Sequence, residues 1–209
     1  MTIAPLDPEL HGDSLWAGTG GFENAALWDY MADGPFPERA EFDAHLRAKA
    51  ASPDPKFFAI IDNASGEAVG HASLMRIDTK NRVIEVGGIM YSPRLKRTPG
   101  GTEAIYLLAR YVFDDLGYRR YEWKCNALNA ASRSAALRYG FTFEGIFRQY
   151  MIVKGRNRDT AWFSLLDSEW PLRKQAFEEW LRPENFDKDG AQRRPLARFN
   201  GDIDRSSKR

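Results

Sequence analysis

The chain has 209 residues and a formal net charge of +1, and 43% of its residues are hydrophobic. This length fits one domain with an appendage, and the apolar fraction is enough for one sizeable core. Acidic and basic residues are interleaved, which excludes the electrostatic footprint of a protein that binds nucleic acid or an anionic membrane surface.

Location and metal chemistry are constrained in the same way. The chain has no apolar run of about 18 residues, so it predicts no membrane-spanning helix, and its first residues lack the pattern of a secretory signal. The single cysteine, Cys125, cannot form an internal disulfide, which favours a reducing compartment. We expect a cytoplasmic protein. The three histidines have no ligand spacing, so no metal site is predicted.

The first half of the chain predicts helices followed by an antiparallel meander. Polar, proline-containing residues up to Asp13 predict an extended lead-in, and the glycines at 18–21 predict a flexible loop. Helical spacing follows at residues 23–31 and 39–50. The pattern then becomes strand-like and predicts three strands, at residues 57–61, 68–77 and 83–91.

The second half predicts a strand–helix–strand unit and a hairpin. The clearest helix covers residues 102–116, and Gly117 suits its C-terminal stop. A strand at 118–126, a short helix at 129–139 and a hairpin formed by 141–153 and 160–166 follow. We expect an α/β fold: a mixed, mostly antiparallel sheet with a central βαβ unit and flanking helices.

The end of the chain has a different composition. A helix around residues 172–181 leads into a polar tail that is basic from Arg193 onward. We expect one domain at residues 1–170, followed by a C-terminal helix and tail at 171–209. The tail packs on the outside of the domain or on a partner subunit, so a homodimer is left open.

The βαβ unit contains the chemical signal. Its first strand leads into a loop with cations and adjacent glycines, which feeds the N-terminus of the long helix. Backbone N–H groups and the positive end of the helix dipole can bind a phosphate there. Alone, such a loop is more often an ordinary turn.

The surrounding residues make the signal specific, because the chain resembles the GNAT acyltransferase superfamily. The branch it resembles includes the ribosomal-protein alanine and serine N-acetyltransferases. The matching pieces occur in order as Glu85-Val-Gly-Gly-Ile-Met-Tyr-Ser-Pro93, Gly101-Thr-Glu-Ala104, Leu116-Gly-Tyr118-Arg119-Arg120, Asn129-Ala-Ala-Ser132 and Tyr139-Gly-Phe141 with Glu144-Gly145.

The resemblance implies that acetyl-CoA is the cosubstrate. In such folds the strand at 83–91 splays from the strand at 118–126, and its free backbone groups at Ile89, Met90 and Tyr91 bind the pantetheine arm. Asn129 and Ser132 lie beside the pantetheine and the thioester sulfur. The residues implied at the pyrophosphate are Arg97, Thr98, Gly100, Gly101 and Thr102.

The resemblance also implies direct attack of a primary amine on the thioester. Glu85 is the first choice for the general base, although a structural carboxylate is an equally good interpretation. Glu122 and His71 are alternatives. Relatives often have a tyrosine as the acid for the leaving thiolate where this chain has Ala136. Ser132 is the proposed substitute, with Tyr139 and Tyr150 as other nearby hydroxyls.

One departure bears on CoA binding. Pro99 stands where the family has its first loop glycine, and proline removes one N–H donor. Either the loop follows a different path and Arg97 compensates, which we favour, or the loop binds CoA more weakly.

Three functions are therefore considered. The first is an acetyl-CoA-dependent N-acetyltransferase whose acceptor is a primary amine, with a protein N-terminus favoured and a small-molecule amine as the other option. The second is a non-catalytic acyl-CoA-binding module. The third, a nucleic-acid or ribosome adaptor, rests on the basic tail and on Lys154, Arg156 and Arg158, which we interpret as a solvated hairpin tip. The acceptor pocket is expected at residues 16–37 and 148–159.

Overall fold

A computed structural model of the chain describes residues 1–206, with side chains described up to residue 201. A seven-stranded sheet has the strand order β1-β2-β3-β4-β5-β7-β6. The strands are β1 (Thr2–Pro5), β2 (Lys56–Ile61), β3 (Ala68–Asp78), β4 (Val83–Tyr91), β5 (Arg120–Asn126), β6 (Thr142–Val153) and β7 (Arg156–Leu166). The α-helices are α1 (Pro8–Thr19), α2 (Arg39–Ala51), α3 (Pro99–Arg110), α4 (Ala130–Arg138), α5 (Trp170–Trp180) and α6 (Leu196–Ser206).

The predicted fold class is confirmed. Strands β4 and β5 pair in parallel, and α3 connects them as the crossover helix of the βαβ unit. The other neighbouring strands pair antiparallel. Within the described residues, no helix is long and apolar enough to cross a membrane.

Each face of the sheet has its own hydrophobic core. The larger core is formed by α3, α5 and α6 against inward residues such as Val86, Trp123 and Phe163. On the opposite face, α1 and α2 pack against β2 and β3 through Leu15, Phe42 and other apolar residues. Because side chains alternate along a strand, Glu85, next to Val86, lies on the α1 and α2 face.

The structure corrects several predicted boundaries in the first half of the chain. Residues up to Asp13 are not an extended lead-in: β1 pairs with β2, and α1 starts at Pro8 because Asp7 caps the backbone N–H groups of residues 9 and 10. The helix predicted at 23–31 is a 3₁₀ helix, Phe22–Trp28. The glycine segment at 18–21 includes the end of α1.

Two further boundaries bear on the site. Helix α3 starts at Pro99 rather than at Thr102, so the two glycines belong to its first turn. Strand β7 starts at Arg156 rather than at Thr160, because the hairpin turns in two residues, Lys154 and Gly155. The C-terminal tail forms a further helix, α6, whose Leu196 is fully buried. Residues 207–209 of the tail lie outside the described part.

Candidate active site

The parallel strands at the centre of the sheet separate towards their C-terminal ends. They are paired from Val83 with Arg120 to Val86 with Trp123. Beyond these residues β4 continues to Tyr91 alongside β3 alone, and β5 continues to Asn126 alongside β7. One backbone edge of β4, from Gly87 to Tyr91, is thus unpaired by any described strand. It can hydrogen bond an extended ligand as an added strand would.

A bulge shapes this free edge. The register between β3 and β4 shifts between His71 and Ser73, and Gly88 has a φ of 55°. A side chain at Gly88 would be strained in that conformation. It would also approach the Phe57 ring within 3.0 Å. The glycine pair of the motif therefore allows the bend.

Helix α4 begins on the β5 side of the gap. The Asn129 side chain caps it by accepting the Ser132 backbone N–H at 3.0 Å. The indole N–H of Trp123 donates to Ser132 Oγ at 3.0 Å. A hydroxyl that accepts in this way keeps its own proton available to a further acceptor. Ser132 also contacts the Cys125 thiol, whose pKa is raised by burial.

The N-terminus of α3 lies at the C-terminal end of β4. Thr98 is the N-cap, and its hydroxyl accepts from Gly101 N at 3.4 Å. Pro99 takes the first helical position, where its missing N–H would have no intrahelical partner anyway. The Tyr91 hydroxyl donates to Gly101 O at 2.7 Å. An alanine at position 101 would meet the Tyr91 ring at 3.0 Å and Leu95 O at 3.1 Å, so this glycine permits close packing of loop and strand.

A buried ion-pair network lies on the α1 and α2 face of the gap. Glu85 Oε2 is 2.7 Å from Arg76 Nη1 and 2.9 Å from Lys124 Nζ. Lys124 also pairs with Glu122 at 2.7 Å, and its ammonium lies 3.8 Å from the centre of the Trp162 ring. The Glu85 side chain is 3% exposed. The buried carboxylate is thus paired with two cations.

Two hydrogen bonds connect the segments that flank this face of the sheet. Lys154, at the tip of the β6–β7 hairpin, donates from Nζ to Trp28 O at 2.9 Å. The Tyr30 hydroxyl donates to Leu128 O at 3.3 Å, which joins the turn after the 3₁₀ helix to the loop before α4. Trp28 itself is fully buried, whereas Tyr30 is exposed. The segment after α1 and the hairpin therefore border the same opening.

Comparison with known proteins identifies this arrangement. A family model described as an acetyltransferase (GNAT) domain matches residues 3–142. The chain belongs to the GNAT acetyltransferase family. The resemblance predicted from the sequence is thereby confirmed. The separation of β4 and β5 agrees with the splayed strands that this resemblance implied.

Relatives support the assignment along most of the chain. A crystal structure of a GCN5-related N-acetyltransferase from Brucella melitensis is 52% identical, with a TM-score of 0.93, over 95% of this chain and 90% of that one. The "Putative ribosomal N-acetyltransferase YdaF" of Bacillus subtilis (strain 168) is 31% identical over 50% of this chain. The "Uncharacterized N-acetyltransferase p20" of Bacillus licheniformis is 33% identical over 54% of it. These two matches span 57% and 63% of the curated relatives' own lengths.

Most of the predicted cosubstrate residues lie at or beyond the C-terminal ends of the two separating strands. Ile89, Met90 and Tyr91 lie on the free part of β4, and Asn129 and Ser132 lie at the start of α4. The side chain of Thr102 is buried and accepts from Arg138 Nη1 at 2.9 Å. Arg97, with a φ of 60°, is exposed before the N-cap.

The alternative acids and bases are less accessible. His71 is 1% exposed; burial, followed by the charges of Lys49 and His45, holds its pKa well below the ordinary value. Glu122 is 9% exposed and bonded to Arg120 and Lys124. Tyr139 is buried against Trp123, and burial raises its pKa.

Sequence reasoning missed three cations of the site. Arg76 and Lys124 were not singled out, although they bind Glu85. Arg158 was assigned to a solvated hairpin tip, which is wrong: it lies within β7, partly buried, and its charge interacts with Glu85. The Lys154-Gly155 pair is the signal that could have placed Arg158, since a lysine–glycine turn of two residues starts the second strand earlier.

Proposed function

We propose that this protein transfers the acetyl group of acetyl-CoA to a primary amine. The acceptor favoured by the branch resemblance is a protein N-terminal α-amine, and a small-molecule amine is the other candidate. The single observation that supports this most is the unpaired edge of β4 from Gly87 to Tyr91, opposite the capped start of α4 with Ser132. The cytoplasm, predicted from the lone Cys125, is the proposed location.

The residues present fit acetyl-CoA. In this proposal the free backbone groups of Ile89 to Tyr91 hold the pantetheine arm and donate to the thioester carbonyl. The first turn of α3, with the exposed Arg97 before it, binds the pyrophosphate through backbone N–H groups and the helix dipole. Pro99 removes a donor from that turn, and Thr98 occupies the Gly101 N–H, so Arg97 supplies compensating charge. Acetyl-CoA would supply the activated thioester.

The chemistry follows from these positions. The acceptor amine attacks the thioester carbonyl carbon, while backbone donors of β4 stabilise the charge that develops on the oxygen. The amine loses its proton to solvent or to Glu85. The C–S bond breaks, and Ser132 donates a hydrogen bond to the leaving thiolate. A thiolate with an ordinary pKa of about 8.5 needs little acid assistance.

The contacts of Glu85 argue for a positioning role over direct proton transfer. Glu85 Oε2 is already bonded to both Arg76 and Lys124, so this oxygen is engaged by two donors before an acceptor amine arrives. If solvent takes the proton, a Glu85→Gln variant keeps measurable turnover but loses stability, since it leaves Lys124 with one carboxylate partner. If Glu85 is the base, turnover falls by about 100-fold or more.

The decisive experiment combines binding and turnover. The protein is incubated with acetyl-CoA and a panel of peptides, amino acids, polyamines and aminoglycosides while free thiol is followed, and CoA binding is measured by calorimetry. Turnover with any primary amine supports the proposal. No turnover and no CoA binding would refute it.

A second candidate is the non-catalytic acyl-CoA-binding module. It is favoured by the ion-paired state of Glu85 and by Ala136, which is fully buried where relatives have a tyrosine acid. Tight CoA binding without turnover across the panel would select this candidate.

A further inference from the structure

Strand β7 has a row of buried polar atoms without partners. Arg158, Thr160 and Trp162 alternate along the strand and lie on one face, the face of Lys124, which is opposite Trp162 in the register. Arg158 Nε, Thr160 Oγ1 and Trp162 Nε1 have no hydrogen-bond partner among the described residues. Thr160 is fully buried. Burying such a group without a partner is unfavourable, so a row of three on one strand face calls for a partner.

The charge around this row is positive. Glu85 is occupied by Arg76 and Lys124, and Glu122 is shared between Arg120 and Lys124. No described carboxylate lies within ion-pair distance of Arg158, whose pKa is lowered by burial. A partly buried guanidinium with donor groups beside it matches an anion in geometry and charge.

The neighbouring strand β6 packs aromatic side chains beside the row. Phe147 pairs with Thr160, and Met151 pairs with Arg158. Residues 148–150 of β6 therefore lie opposite the single residue Asp159 and form a β-bulge. The bulge is held by Gln149 N, which donates to Asp159 Oδ1 at 2.8 Å. It places Tyr150 edge-on to Trp162 at 5.6 Å, while Phe147 stacks on that indole at 4.3 Å. Bulges commonly redirect side chains beside functional sites.

We propose that Arg158, Thr160 and Trp162 bind a carboxylate carried by the acceptor, close to the amine that is acetylated. The guanidinium, the hydroxyl and the indole each donate one hydrogen bond to the carboxylate oxygens. This inference rests on the proposed function, since it assigns the acceptor class of the same site. It selects an acidic acceptor, either a free amino acid or a peptide with an acidic residue near its N-terminus, over a polyamine.

The test uses matched probes that differ in one carboxylate. The CoA-bound protein, labelled with ¹⁵N at its indoles, is titrated with glutamate and glutamine, with alanine and alaninamide, and with the tripeptide amides Ala-Glu-Ala and Ala-Gln-Ala. Spermidine is the cationic probe. The Trp162 indole resonance is assigned with Trp162→Phe. We expect the carboxylate member of at least one pair to shift this resonance and to bind roughly tenfold more tightly than its partner.

Arginine variants separate the site from general electrostatics. Arg158→Gln should abolish the carboxylate preference, and Arg158→Lys should retain part of it. Arg156→Gln removes an exposed arginine two residues earlier on β7 and should leave the preference intact. Melting curves for all three variants identify any that fail to fold, and Thr160→Val then replaces a failed Arg158 variant.

Equal binding of both members in every pair overturns the inference, as does the absence of binding by every probe. Preference lost equally in the Arg156 variant also overturns it, because the effect is then long-range. The binding assay needs no turnover. Discrimination between the probes without acetyl transfer would therefore reject the proposed function and support the anion site. Acetyl transfer to spermidine and amides alone would support the proposed function and reject the anion site.

Discussion

At the scale of single residues, two hydrogen bonds fix the position of Ser132. Its backbone is held by Asn129, and its Oγ accepts the Trp123 indole proton. Ser132→Ala should lower kcat roughly tenfold if the hydroxyl assists the thiolate, with KM for acetyl-CoA changed less. It should also cost about 1 kcal/mol of stability, because the indole loses its partner. Initial rates of thiol release and thermal melting measure both effects.

The matched control is Ser134→Ala, an exposed serine on the same helix, which should change neither kcat nor the melting temperature. A Ser132→Ala variant with normal kcat and lowered stability would assign Ser132 to structure alone.

Some residues of the candidate site were predictable from the sequence, and others were not. Glu85, Asn129 and Ser132 belong to local motifs. The parallel pairing of β4 and β5 follows from the βαβ order, whereas the splay of these strands is implied by the family resemblance. Arg76 was not predictable, because its position depends on a bulge where its φ is 50°. Arg158 could be placed only from the length of the hairpin turn at Lys154 and Gly155. A shift of one residue in a strand moves every side chain to the other face.

At the scale of elements, the first turn of α3 packs on β4, where the Tyr91 hydroxyl donates to Gly101 O. Gly101→Ala should raise KM for acetyl-CoA and lower the melting temperature, because the added methyl group meets the Tyr91 ring and Leu95 O at 3.0 and 3.1 Å. Overpacking of this kind typically costs about 1–3 kcal/mol. Titration calorimetry with CoA and thermal melting test it.

Gly201→Ala is the control, since Gly201 lies in α6 with nothing within 4 Å of an added Cβ. It should be neutral or slightly stabilising. Unchanged CoA affinity and stability in Gly101→Ala would show that the turn adjusts and that Gly101 is not required for packing.

His45, on helix α2, makes the free energy of unfolding depend on pH. Burial, followed by the charge of Lys49, lowers the pKa of His45 to about 4, although Asp33 opposes the shift. The unfolded chain therefore binds more protons than the native protein between about pH 6.5 and 4, so stability falls as the pH drops through that window. For His45 alone the loss across this window is about 3 kcal/mol.

Urea unfolding at pH 7.0, 5.5 and 4.5 measures this effect. His45→Gln should reduce the change of the unfolding free energy with pH. His71→Gln should reduce it more strongly, because burial also lowers the pKa of His71. A His45→Gln protein with the wild-type slope would assign the acid sensitivity to other groups.

At the scale of the whole molecule, the C-terminal segment packs on the domain core and contacts α4, which in turn contacts α3. The Asn200 amide donates to Arg138 O at 3.2 Å. Arg138 in turn donates to Thr102 and lies 5.0 Å from the Trp180 ring centre. Sequence patterning predicted a polar tail here, because the few apolar residues are separated by charged ones and the contacts are long-range. The domain boundary at residue 170 stays a prediction.

This connection predicts that a remote core substitution affects cosubstrate binding. Leu196→Ala removes a fully buried side chain from the start of α6 and should cost about 2–4 kcal/mol of stability. Through Asn200, Arg138 and Thr102 it should also raise KM for acetyl-CoA about threefold, with kcat retained. Arg198→Ala, an exposed position on the same helix, should leave both quantities unchanged. Loss of stability with an unaltered KM at a temperature where the variant is fully folded would show that α6 supports the core without influencing the α3 turn.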